Sequence, residues 1–233
     1  MAKELPKLQI SSDLLGNLFS TEEERQENMA ERVTNLSLED ISPFTDHPFQ
    51  VRDDEEMHRL IESIEENGVL VPALVRPRRG GGFEMVAGHR RLHASERAGL
   101  TTIPCIIREL SDDAATIIMV DSNLQREHIL PSEKARAYQM RLEAMKRQGK
   151  RTDLTSVPVA QKLKGKTSRE LLSEQVGESQ DQVRRFIRLN SLIPELLKMV
   201  DEEKIALRPA VELSYLPHDE QEGLLGVMTE NEC

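Results

Sequence analysis

The stretch that most constrains this chain is Phe83-Glu84-Met85-Val86-Ala87-Gly88-His89-Arg90-Arg91-Leu92-His93-Ala94-Ser95. Its apolar entry, Phe83 to Val86, reads as a short strand, and Arg90 to Ala98 reads as a helix that Gly99 terminates. Gly88 therefore sits at a strand-to-helix turn. The first backbone N–H groups of a helix have no intrahelical partner, and the helix dipole adds partial positive charge, so anions are favoured there. Arg90 and Arg91 add full charges and planar donor forks that match phosphate oxygens. The stretch reads as a phosphate cradle. A helix start with surface arginines would carry the same string, so the rest of the chain has to decide between the two.

Downstream and upstream patterns place the cradle in an α/β unit. His47-Pro48-Phe49-Gln50-Val51-Arg52 is an extended, proline-restricted segment. It leads into a helix in which Met57, Leu60, Ile61 and Ile64 fall on one face and Asn67-Gly68 forms the end. Val69 to Val75 reads as a strand, Arg78 to Gly82 as a turn, Phe83 to Val86 as the return strand, and Ile103 to Ile107 as another strand. Ser111-Asp112-Asp113 opens a further helix that ends in the polar cluster Ser122-Asn123-Leu124-Gln125-Arg126, and Pro131-Ser132-Glu133 starts a long helix to about Arg147. Cys105 lies in an apolar run and Cys233 is the last residue, a spacing that supports neither a metal site nor a disulfide framework.

Charge is segregated along the chain. The formal net charge is -10, yet the segment from Lys134 to Arg188 holds 14 basic and 6 acidic residues. Met1 to Asp40 is polar and acidic and reads as a flexible arm. Gln148 to Lys166 reads as a basic, loop-like insert. After it, Thr167-Ser168-Arg169-Glu170 and Ser179-Gln180-Asp181-Gln182 are capping boxes, each opening a short helix, with Gly177 between them. The pattern matches a helix-turn-helix at about 167–190, with the second helix as the reading element. Its inward face is Val183, Phe186 and Ile187, and its outward face carries Arg184, Arg185 and Arg188. Thr167, Ser168, Ser179, Gln180, Gln182, Arg184, Arg185 and Arg188 are the candidate DNA contacts, glutamines to base edges and arginines to phosphates or guanines. Further helices start at Pro194 and near Lys204. No apolar run is long enough to cross a bilayer, and a cytoplasmic protein is expected.

His47-Pro48-Phe49-Gln50-Val51-Arg52, Gly88-His89-Arg90-Arg91-Leu92-His93-Ala94 and Ser122-Asn123-Leu124-Gln125-Arg126-Glu127 together resemble the three successive boxes of the ParB-type partition proteins, in the same order and at similar spacing. The likeness runs from about Leu38 to Leu216. It implies an α+β amino-terminal domain of the ParB/sulfiredoxin-like type, followed by an all-α helix-turn-helix domain. The corresponding division is an arm at 1–40, a nucleotide-binding domain at 41–127 and a helical domain at 128–233. The resemblance further implies CTP and magnesium in the first domain, with Gln50, Arg52, Gly88, His89, Arg90, Arg91, Asn123 and Arg126 as nucleotide contacts. It also implies a double-stranded, palindromic centromere-like DNA site, a homodimer acting as a nucleotide-gated clamp, a ParA-type ATPase at the arm, and association with nucleoid or plasmid.

Departures from the family pattern are as informative. The family usually has Asn before Pro48, Glu at the position of His89, Arg at that of His93 and Glu at that of Ser122. The two lost carboxylates are the expected oxygen ligands of magnesium, so no metal-ligating residue is assigned and CTP hydrolysis is an open question. His89 is read as a phosphate contact or a group titrating near neutral pH, with a plain surface or packed histidine as an equal alternative. Two other readings stand beside the partition clamp: a helix-turn-helix transcriptional regulator with a degenerate pocket, and a phosphotransferase of the same fold. The chain ends too early for the family's carboxy-terminal dimerisation domain, which is expected to be truncated or absent.

Overall fold

The computed structural model describes residues 32–126, 128–152 and 167–230. The arm up to residue 31, Glu127, residues 153–166 of the basic insert, and Cys233 lie outside them. In chain order the elements are β1 (Val33–Ser37), β2 (Ile41–Ser42), α1 (Glu55–Asn67), β3 (Ala73–Pro77), β4 (Phe83–Ala87), α2 (His89–Arg97), β5 (Thr102–Ile107), α3 (Asp112–Asn123), α4 (Pro131–Thr152), α5 (Ser168–Val176), α6 (Gln180–Arg188), α7 (Pro194–Asp201), α8 (Leu207–Leu213) and α9 (His218–Glu230).

The strands form one mixed sheet in the order β1-β5-β3-β4-β2. β3 and β4 make the expected antiparallel hairpin, while β5 lies parallel to β3. A parallel neighbour needs a crossover, and α2 supplies it. Side chains alternate across the sheet with period two. Ala73, Val75, Met85, Ile103 and Cys105 point to one face, where Leu92 of α2 covers them. Val86 points to the other and meets Ala115, Met119 and Val120 of α3 and Ala137 of α4. α1 rests on α2 through Met57, Ile64 and Ala94. The helical half has its own core, in which Ala135, Tyr138 and Leu142 of α4 pack with Leu172, Val183, Phe186, Leu189 and Leu196. Burial of each large apolar side chain contributes roughly 1.5–3 kcal/mol.

Four expectations are corrected. The segment up to Asp40 is not all arm, because Val33–Ser37 pairs antiparallel with β5 and Leu36 packs on the sheet core; a single edge strand inside an acidic stretch is invisible to composition. The strand expected from Val69 begins only at Ala73, and Leu70 and Val71 are exposed. Helix α4 continues to Thr152, through the first residues of the expected loop. Helix α9 follows the last expected helix, with Leu225 and Met228 packed against the core.

A buried ion pair ties the sheet to its surroundings. The Arg76 guanidinium contacts the Glu84 carboxylate at 2.5 Å, and Glu84 also accepts hydrogen bonds from the Thr45 backbone N–H at 3.1 Å and hydroxyl at 3.0 Å. Arg76 reaches on to Asp112 at the start of α3, at 2.7 Å. Burial opposes ionisation of Glu84, but the hydrogen bonds from Arg76 and Thr45 outweigh it and hold the carboxyl below its ordinary value. A depressed carboxyl contributes stability above its unfolded-state value, and that contribution is lost as the pH falls through the folded-state value. Glu84→Ala leaves a buried guanidinium without its main partner and should lower the unfolding free energy in urea by about 3 kcal/mol. The acid-induced loss of stability should be steeper in the parent protein than in the variant.

Candidate functional site

The turn predicted from sequence is present. Gly88 caps α2 in the left-handed region at φ 114°, and a Cβ there would stand 3.0 Å from that of Ala73. A side chain at this position would be strained and would push against β3.

Beside this turn lies an open cavity of about 610 Å³ lined by Gln50, Arg52, Asp54, Glu56, Leu60, Arg90, Gln125, Arg126, His128 and Glu133. All three boxes seen in the sequence contribute to it. Of the eight expected nucleotide contacts, it gathers Gln50, Arg52, Arg90 and Arg126. Arg126 is half buried; its N–H donates to Asn123 O at 3.1 Å, while its guanidinium has no hydrogen-bond or ion-pair partner among the described residues. Its pKa is lowered first by burial and then by the charge of Arg90, with Arg52 acting in the same direction and Glu133 and Asp54 opposing. The guanidinium groups therefore crowd one another in a partly desolvated space, which an anion would relieve. Arg90 is held by Glu56 at 3.1 Å and Asp54 at 3.7 Å, both from the start of α1.

The other expected contacts serve the fold. Arg91 folds back to donate to the carbonyls of Val71 and Pro72, at 2.5 and 2.6 Å. Those carbonyls are thereby drawn out of strand pairing, which is why β3 starts late. Asn123 donates to Met119 O at 2.9 Å inside its own helix, and the Ser122 hydroxyl does the same. His89 does not face the cavity: its Nε2 accepts from the Phe44 N–H at 3.3 Å and its ring lies 3.9 Å from that of His47. Burial, then His47 and Arg126, push its pKa down to about 3, so it stays neutral near neutral pH, as the packed alternative has it.

Asp54, Glu56, Gln125, His128 and Glu133 were not read from the sequence as site residues. Glu133 is the least visible of them. It is 4% exposed, and its two oxygens accept the N–H groups of Gln50 at 2.8 Å and Leu130 at 3.1 Å. A glutamate in the first turn after Pro131 reads as a cap, and its long-range partner leaves no sequence signal.

The carboxylates on the cavity wall do not fit a magnesium ion. Glu133 has both oxygens engaged by backbone N–H groups, Asp54 Oδ1 caps α1 by accepting from Met57 N at 2.8 Å, and Glu56 is paired with Arg90. Among the described residues, no group of three His, Cys, Asp or Glu is placed to hold a metal.

In the helical half, the two capped helices stand as expected. Thr167 forms a full capping box with Glu170, Gly177 ends α5 in the left-handed region, and Ser179 caps α6 by accepting from Gln182 N at 3.1 Å. Thr167, Ser168 and Ser179 thus build the helix starts. Gln180, Arg184 and Arg185 are exposed and Gln182 is partly so, all on the side away from Val183 and Phe186. Arg188 is turned elsewhere: it donates to Ser214 O at 2.7 Å and lies over the Tyr215 ring at 4.3 Å. The outward role expected for it is corrected accordingly.

These features define a class: an α+β domain with a polar, arginine-rich pocket at a strand–turn–helix, joined to a helical domain. Residues 22–124 match the ParB N-terminal domain. The chain is 34% identical over 197 residues to the chromosome-partitioning protein Spo0J of Thermus thermophilus, covering 84% of this chain and 65% of that protein. It is 31% identical over 210 residues to the nucleoid occlusion protein of Geobacillus thermodenitrificans, covering 88% and 68%. The Pnob8-like ParB-N domain shares the fold at a TM-score of 0.52 and 16% identity, over 85% of this chain and 84% of that one. The chain belongs to the ParB family. It spans between 53% and 65% of the length of the first chromosome-partitioning relatives it matches.

The burial of His89 has a direct readout. Its imidazole signals in a proton–nitrogen NMR titration should show no transition between about pH 5 and 8, the range in which an ordinary histidine changes charge.

Proposed function

We propose that this chain is a partition factor that binds double-stranded DNA through α5 and α6 and a nucleotide, CTP, in the arginine-lined cavity, and that it works as a dimeric clamp on a palindromic site. The observation that carries the nucleotide half is Arg126: a half-buried guanidinium without a hydrogen-bonded or ion-paired partner among the described residues, in the field of Arg90 and Arg52. Phosphate oxygens are the complement such a group lacks. The choice of CTP rests on the resemblance of the three boxes to the ParB pattern. The names of the relatives, a chromosome-partitioning protein and a nucleoid occlusion protein, support a role on chromosomal DNA. Nucleotide would favour one arrangement of the clamp by binding it more tightly than the other. A ParA-type ATPase remains the expected partner for the amino-terminal arm.

Titration calorimetry should show CTP binding that ATP and GTP do not reproduce, and Arg126→Ala and Arg90→Ala should each weaken it by about tenfold or more, the loss of one charge-assisted contact. Absence of binding by any nucleotide would leave the second reading, a DNA-binding regulator, which the inward turn of His89 favours.

The DNA half rests on the exposed side of α6. Gel-shift assays with a chromosomal fragment library should select one palindromic sequence. Arg184→Ala and Arg185→Ala should weaken binding to it and lower its salt dependence by about one unit of slope per lost phosphate contact. Arg188→Ala should act first on thermal stability, since that side chain is spent on Ser214 and Tyr215.

A further inference from the structure

If the cavity takes a nucleotide, as proposed above, its walls say how the phosphates are held. The two positions at which the family pattern supplies carboxylates to a divalent cation hold other residues here. One is His89, partly buried, accepting from Phe44 N and lying against His47. The other is Ser122, whose hydroxyl is bonded to Met119 O. Of the carboxylates that line the cavity, Glu133 accepts the N–H groups of Gln50 and Leu130, Asp54 caps α1 through Oδ1, and Glu56 pairs with Arg90. A magnesium ion needs near-octahedral oxygen ligation and gives up water reluctantly, and among the described residues no three His, Cys, Asp or Glu side chains converge to supply it. The donors that face the cavity from Arg52, Arg90 and Arg126 are cationic, fixed in geometry and permanently charged.

We infer that this chain binds the nucleotide phosphates on its guanidinium groups alone, without recruiting a divalent cation, and that it does not hydrolyse the nucleotide. The bound state then ends by dissociation. Glu56 is the built-in competitor: it occupies Arg90 at 3.1 Å, its side chain is 64% exposed, and phosphate entry swings it into solvent.

The test is binding of CTP to the full chain by equilibrium dialysis with labelled nucleotide, in magnesium and in EDTA, with product release followed in parallel. The expected result is a dissociation constant that changes by less than about threefold between the two buffers, because no protein–metal contact is lost. No diphosphate should accumulate, with or without DNA. Glu56→Gln, an exposed change that removes the competing charge while keeping shape, should tighten binding by about two- to fivefold at low salt. Binding weakened by about tenfold or more in EDTA, or multiple turnovers, would overturn the inference while leaving CTP recognition standing. Unchanged or weaker binding in Glu56→Gln would overturn the competitor role. No binding in either buffer would overturn the nucleotide reading itself and this inference with it.

Discussion

Helix α4 is buried on two sides, and the arrangement of the molecule follows from that. Ala137 closes the core beneath the sheet, and the next residue, Tyr138, is in the core of the helical half. Its first turn is tied in three directions. The Ser132 N–H and hydroxyl both donate to Asp201 at the end of α7, at 2.9 and 2.5 Å. Glu133 takes the N–H of Gln50 on the cavity wall, and Lys134 pairs with Glu178 in the turn between α5 and α6 while lying over the Phe186 ring at 4.7 Å. A buried carboxylate with both oxygens satisfied is costly to disturb. The same helix ties the two halves again further along, where buried Arg141 reaches Asp121 of α3 and Gln175 of α5.

The cavity shows an uneven economy. Arg90 is paired with Glu56 and Asp54, whereas the Arg126 guanidinium has no hydrogen-bonded or ion-paired partner among the described residues, and Arg91, one residue from Arg90, is spent on bracing the loop ahead of β3. Adjacent arginines on one helix thus have different work because successive helical positions point about 100° apart. One reaches the cavity and the other the underside of the turn.

Much of the fold was legible because it follows periodicity and capping. The hairpin, α1, α2, α3 and the two capped helices each announce themselves by apolar spacing, by a Ser or Thr cap, or by a terminal glycine. β1 was hidden because this edge strand is held by its ladder to β5 and by one partly buried side chain, Leu36. The site was half legible. Arginines beside a glycine turn could be named, but whether a given arginine faces a ligand or a carbonyl depends on loops distant in sequence, as Arg91 and Val71 show. At His89 the sequence left a packed and a titrating histidine both open, because its packing comes from Phe44 and His47, some forty positions away. Arg188 was misjudged because Ser214 and Tyr215 lie beyond the helix pair that the pattern described.

The way Arg188 is held has a mechanical corollary. Helix α6 is gripped at its carboxyl end by a hydrogen-bonded, ring-stacked guanidinium, whereas its other end carries Gln180 and Gln182 after a glycine-containing turn. The amino end is held as well, by Glu178 on Lys134 just before the helix and by Val183 in the core, so α6 is braced at both ends and its outer row of Gln180, Arg184 and Arg185 stands on one fixed face.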